Sequence, residues 1–193
     1  MKFSHKIIKK LFKKFFKFKI FVYGKILSNT NIVRGKAIIN QPTLFLGIGK
    51  INIADNVSLG YNPSPFFYSG YMHIEARQKT SIIEIGENTY INNNTTIVSD
   101  GAKITIGKNC LIGPHFVCLD SDFHRIGPEL RFELPEPKGV TIGDNVFIGA
   151  NVMILKGVSI GKNCVVGGGS VVTKSFPDNC VIGGNPARVV KRL

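Results

Sequence analysis

At 193 residues the chain has room for one well-buried domain and little more. Its formal net charge of +13 is lopsided: residues 1–25 hold nine lysines and no acid, which leaves 16 of the 25 basic residues to face all 12 acidic ones. A body so nearly balanced lacks the basic face that nucleic acid requires, and four cysteines without a close Cys-x-x-Cys pair suggest neither a disulfide framework nor a zinc site.

The first predicted element is a helix in MKFSHKIIKKLFKKFFKFKIFVYGKIL. Phe3, Ile7, Ile8, Leu11, Phe12, Phe15 and Phe16 recur at helical spacing, and lysines fill the opposite face. Lysines also interrupt any apolar stretch long enough for a cleaved signal peptide or a membrane span. Two uses for the apolar stripe follow. It can lie in the interface of an anionic bilayer with the lysines toward the headgroups, or it can pack on the domain or on a neighbouring subunit. Residues 1–27 are the candidate membrane contact, and residues 1–30 are set apart from a domain covering 31–193.

That domain repeats every six residues. The phrase occurs as IADNVS (Ile53, then Leu59), as IGENTY and INNNTT (Ile85, Ile91), and as IGKNCL and IGPHFV (Ile106, Ile112). From Ile142 it runs IGDNVF, IGANVM, ILKGVS, IGKNCV and VGGGSV, to Val172. A period of six fits neither the 3.6 of a helix nor the 2 of a plain strand. It fits short strands joined by tight turns, with one aliphatic side chain per repeat pointing inward and Gly or Asn at turn positions of positive φ. Three such strands close one triangular coil, and stacked coils bury a column of Ile and Val. The expected fold is all-β, a parallel β-helix of hexapeptide repeats with a short N-terminal helix. Cys110 and Cys164 fall at inward positions and read as small buried thiols.

The sixes stop near Leu119 and resume at Val140. Between them runs CLDSDFHRIGPELRFELPEPKG, an excursion over about 119–139. Stacked coils have flat faces, so chemistry needs a side chain carried off the coil on a loop. His124 is on that loop. His115, inside the clean repeat IGPHFV, is a rival expected to face outward. His73, in GYMHIEARQ, lies where the repeat is weak; a second loop near an acceptor is one option there, and a structural role is the simpler one.

The repeat blocks, with a His-bearing loop between them followed by Glu129-Leu130-Arg131, resemble the hexapeptide-repeat acyltransferases, within them the maltose, galactoside and sugar O-acetyltransferase branch. The likeness is strong over about 80–193, weak over 31–79, and leaves out the N-terminal helix. It implies a left-handed coil, against the usual crossover handedness. It also implies a homotrimer with active sites in clefts between neighbouring coils, acetyl-CoA as co-substrate, and no metal. His124 matches the catalytic histidine. The chemistry suits it: a neutral imidazole, with an ordinary pKa of about 6.5, can take the acceptor hydroxyl proton and return it to the CoA thiolate. Asp120 and Asp122 are both candidates to orient the ring.

Further positions carry over by resemblance. Asn92 matches an amide that contacts the acceptor sugar, and can both donate and accept. Phe147 stands where the family often has Trp, a weaker aromatic wall, and Arg131 belongs to the acceptor side. Ala150 matches the residue whose N–H supports the thioester oxyanion. Gly168 matches a close approach of the pantetheine arm, Thr173 and Lys174 match contacts to CoA phosphates or adenine, and Arg188 falls in the basic ending. The expected function is acetyl-CoA-dependent O-acetylation of a sugar hydroxyl, of a surface polysaccharide or its precursor, in the cytoplasm and at the inner membrane face. N-acetylation of an amino sugar and a non-catalytic β-helix scaffold are the alternatives. Serine acetylation is disfavoured, because the large helical domain of that family is not in this sequence.

Overall fold

The computed structural model describes residues 5–29 and 33–193. Phe3 and the expected boundary at residues 30 and 31 lie outside the described residues. A helix, α1 (His5–Phe21), continues into a wider turn, Val22–Ile26. The rest is strand and turn, wound so that each sheet is one face of a three-sided prism.

The first sheet, A, stacks β1 (Val33–Gly35), β4 (Lys50–Ile53), β7 (Ile82–Ile85), β10 (Lys103–Ile106), β13 (Val140–Ile142) and β16 (Ser159–Ile160). Sheet B stacks β2 (Ile38–Ile39), β5 (Ser58–Leu59), β8 (Tyr90–Ile91), β11 (Leu111–Ile112), β14 (Phe147–Ile148), β17 (Val165–Val166), β19 (Cys180–Gly184) and β20 (Ala187–Arg192). Sheet C holds β3 (Thr43–Gly47), β6 (Met72–Ala76), β9 (Thr96–Ser99), β12 (Val117–Leu119), β15 (Met153–Ile154) and β18 (Val171–Val172). Neighbouring strands are parallel in every case except β19 with β20, where the chain folds back and ends sheet B on an edge strand carrying Arg188, Lys191 and Arg192. A charged edge of this kind discourages further pairing. This is the parallel β-helix that the hexapeptide period implies, with the left hand that the family resemblance implies.

Register explains the period. In sheet B, Leu59, Ile91, Ile112, Ile148 and Val166 are successive partners, and all are buried. Each such side chain contributes about 1.5–3 kcal/mol on leaving water. One corner, between sheets A and B, is built on Asn56, Asn88, Asn109, Asn145, Asn163 and Asn179, all with φ between 55° and 59°. Asparagine tolerates this left-handed conformation better than most residues. Its side chains also pair from coil to coil, as Asn145 Nδ2 to Asn163 Oδ1 at 3.0 Å and Asn163 Nδ2 to Asn179 Oδ1 at 2.9 Å. All four cysteines are free and buried in the prism. Burial pushes the Cys118 thiol well above the ordinary range, and those of Cys110 and Cys164 upward.

Two segments leave the prism. The larger, Asp120–Gly139, is the excursion expected from the break in the repeat, and Lys138 N–H donates to the Asp120 carbonyl at 2.8 Å to close its base. The second, Gly60–Tyr71, precedes β6, so His73 lies in a strand and the loop comes before it. Two buried amides hold this second loop. Gln41 Nε2 donates to the Phe66 carbonyl at 3.0 Å, and Asn93 Nδ2 donates to the Pro65 carbonyl at 2.8 Å. The loop in turn seats α1: Phe16, 7% exposed, packs its ring 5.0 Å from Phe67 and 5.1 Å from Tyr68. Ile7, Ile8, Leu11, Phe15 and Phe18 remain exposed on the rest of the apolar arc.

Candidate active site

The outward columns of the three faces differ in kind. On sheet A, Arg34, Asn52, Glu84, Thr105, Thr141 and Ser159 align, a polar stripe. On sheet B the aligned outward residues Tyr90, Leu111 and Phe147 are large, apolar and about half exposed. With Tyr61 from the second loop, Asn92 and Gly113 they line a cleft of about 240 Å3. Asn92 and Phe147 are therefore brought together, one at the rim and one on the wall. Tyr61, Tyr90 and Leu111 were missed by sequence reasoning; their signal is the outward residue just before each inward Ile, readable once the register is known.

His124 is elsewhere on the prism. It leaves from the edge shared by sheets C and A, whereas Asn92 follows β8 at the edge shared by B and C. His124 lines an open cleft of about 370 Å3 with Asp122, Arg125, Leu130, Pro135 and Lys156. Its Nδ1 lies 2.7 Å from the Arg131 carbonyl oxygen. A main-chain carbonyl only accepts, so Nδ1 carries the hydrogen and Nε2 of the neutral ring keeps its lone pair. This overturns the expectation that Asp120 or Asp122 orients the imidazole. Asp120 is fully buried and its two oxygens accept the Asp100 and Ala102 N–H groups at 2.6 and 2.9 Å. Asp122 is paired with Lys156 Nζ at 2.5 Å. Arg131 reaches the histidine through its carbonyl, and its side chain is exposed.

The other expected positions divide between two edges. Ala150 and Gly168 stack at the B–C edge, where Gly169 N–H donates to the Ala150 carbonyl at 2.8 Å. Coil lies close on coil here: a Cβ on Gly149 would fall 2.5 Å from Gly168 N. Thr173 and Lys174 follow β18 at the C–A edge, both exposed, with Lys174 Nζ 5.8 Å from the Phe176 ring centre. Arg188, on β20, donates from Nη1 to the Ala187 carbonyl at 2.9 Å. His115 takes a turn position at φ 56° with its ring 4.2 Å from that of Phe66.

A polar cluster borders the His124 excursion on sheet C. Glu75 receives Arg77 Nε and Nη2 at 2.9 and 3.1 Å, and His73 Nε2 at 3.0 Å. The Arg77 guanidinium holds the Glu75 carboxyl below the ordinary carboxylate value, and is itself raised by that carboxylate. Arg77 also approaches Asp100 at 3.7 Å. No group of His, Cys, Asp and Glu suited to a metal ion occurs among the described residues.

Comparison with known proteins agrees with this architecture. The family described as hexapeptide repeat of succinyl-transferase matches residues 103–114 and 139–174. The galactoside O-acetyltransferase of Escherichia coli (strain K12) is 46% identical over 118 residues, covering 58% of this chain and 55% of that protein. The chain thus spans little more than half the length of this and other curated relatives it matches. An uncharacterized 24.8 kDa protein in the cps region of Klebsiella pneumoniae is 34% identical over 183 residues, covering 89% of this chain and 81% of its own. The crystal structure of a hexapeptide-repeat-containing acetyltransferase from Vibrio cholerae O1 biovar eltor, complexed with acetyl coenzyme A, superposes with a TM-score of 0.61 at 28% identity, over 92% of this chain and 84% of that one. With the repeat, the three-sided prism and a relative matched along most of both chains, the chain belongs to the hexapeptide-repeat acyltransferase family.

Proposed function

We propose that the protein is an acetyl-CoA-dependent O-acetyltransferase that modifies a sugar hydroxyl by direct transfer, with His124 as general base. The observation that carries this is the tautomer: the Arg131 carbonyl holds Nδ1–H, leaving Nε2 free to take a proton. As the acceptor oxygen attacks the thioester carbonyl, Nε2 takes the hydroxyl proton and the C–O bond forms. The tetrahedral oxyanion collapses, the C–S bond breaks, and the same proton goes to the departing CoA thiolate. No acyl-enzyme is needed, consistent with four thiols that are all buried. Acetyl-CoA is the donor by likeness to the complexed Vibrio structure, and Ala150, Gly168, Thr173, Lys174 and Arg188 are assigned as its contacts on the motif resemblance. The galactoside-modifying relative supports a sugar acceptor.

The acceptor residues are Asn92 and Phe147, in the cleft with Tyr61 and Tyr90; Arg131 stays on the acceptor side as well. Within one protomer that cleft and His124 stand at different edges. A homotrimer resolves this, because sheet C of one copy with its His124 excursion can face sheet B of the next. The apolar outward column of B and the polar one of A support that packing, with A toward water. α1 contacts an anionic membrane through its exposed apolar arc, with the lysines alongside. Among the described residues no helix is long and apolar enough to cross a membrane. The protein then works in the cytoplasm at the inner membrane face, on a surface polysaccharide or its precursor. Thiol release from acetyl-CoA, measured against mono-, oligo- and nucleotide sugars, tests the reading. Release that depends on a hydroxyl acceptor is expected; thiol release with amino acceptors alone, or none with any sugar, contradicts it.

A further inference from the structure

We propose that Arg77 is a positioning residue for His124 and acts through Phe123; this rests on His124 being the base of the reaction proposed above. Phe123 immediately precedes the histidine and has φ 61°, a left-handed conformation that a bulky side chain adopts only when its surroundings hold it there. Two local bonds fold the turn around it, Phe123 N–H to Ser121 Oγ at 3.0 Å and His124 N–H to the Asp122 carbonyl at 2.7 Å. Neither one fixes the Phe123 ring. The Arg77 guanidinium does, lying 4.9 Å from the ring centre.

Arg77 is itself immobilised. Its Nε and Nη2 are spent on Glu75, its Nη1 faces Asp100, and Glu75 is held on its other side by His73. Arginine's planar fork makes this a rigid plate, which lysine would not reproduce. The chain is therefore clamped at two points around the imidazole: Phe123 on the Arg77 plate, and Nδ1–H on the carbonyl of Arg131, seven residues further on. Loss of the first clamp lets the ring swing while the prism stays folded, since Arg77 is partly exposed and belongs to no buried column.

Arg77→Met keeps the aliphatic stem and removes charge and fork. Turnover is expected to fall about tenfold or more, since misplacement of a reacting group by about 1 Å can cost about 10²-fold. KM for acetyl-CoA stays within about twofold, because the side-chain partners of Arg77 are Glu75, Asp100 and Phe123 and none of these is assigned to the cofactor. The ring 15N shifts of His124 are expected to lose the pattern of a hydrogen-bonded Nδ1–H tautomer. Phe123→Leu, a loop change, has the same effect, and Arg77→Met adds little on top of it. Wild-type turnover and unchanged His124 shifts in Arg77→Met overturn the proposal, as does a full multiplicative loss in the double variant. A wild-type rate in His124→Gln overturns the base assignment instead, and so separates the two failures.

Discussion

Replacing Asp120 separates a fold-holding role from a catalytic one. Its carboxylate is fully buried, and each oxygen takes one main-chain N–H from the turn of the preceding coil, Asp100 at 2.6 Å and Ala102 at 2.9 Å. Hydrogen bonds to a charged acceptor are worth about 1.5–3 kcal/mol each, and losing the acceptor leaves the donors without a partner. Asp120→Ala should therefore cost about 3–6 kcal/mol, the sum of two such bonds. Asp120→Asn keeps one acceptor and turns an NH2 toward the second donor, so it should recover less than half of that. Urea unfolding gives the stability change, and hydrogen exchange at the amides of residues 100 and 102 locates it. Where the variant remains folded, the pH dependence of turnover should keep its shape, because the imidazole leans on the Arg131 carbonyl. A stability loss under about 1 kcal/mol in Asp120→Ala, or a displaced pH profile in Asp120→Asn, would refute this reasoning.

Three further outcomes follow from the same geometry. Phe15→Glu with Phe18→Glu alters only exposed side chains of α1, so the unfolding midpoint should hold while flotation with anionic vesicles is lost; undiminished flotation removes the membrane reading. The four buried cysteines should resist a thiol reagent in the native protein and all react in denaturant; fast native labelling of any one contradicts its burial. Glu75 has its carboxyl lowered by Arg77, so its contribution to stability is complete above the ordinary value of 4.5 and disappears as pH falls through the lowered one. Glu75→Gln should accordingly narrow the stability gap to wild type in acid, and an equal gap at pH 7 and in acid would sink that linkage.

The fold was legible because its rule is local and repeated. The inward columns are mainly aliphatic, and the turns need a residue at ease with positive φ; Ile142 and Asn145 state both requirements within one repeat. The excursion was legible as an interruption of that rule. The orientation of His124 was not, since the group that sets it is the main-chain carbonyl of Arg131, and a carbonyl leaves no mark in the residue types. Nearby acids drew attention instead, yet Asp120 faces the backbone of the previous coil. The second loop was legible only as a weakness of the repeat around His73, and not at its actual place just before β6, for a related reason: its supports, Gln41 and Asn93, are far from it in sequence and resemble ordinary turn residues. Arg77 beside Phe123 joins residues 46 positions apart, a contact that only the stacking of coils creates.

The most direct measurement is steady-state turnover and CoA binding of His124→Gln, with an acceptor that the wild type uses. Turnover about 10²–10⁴-fold lower, with CoA affinity unchanged, is the predicted result for loss of a general base. A variant that turns over at the wild-type rate would contradict the role assigned to the imidazole.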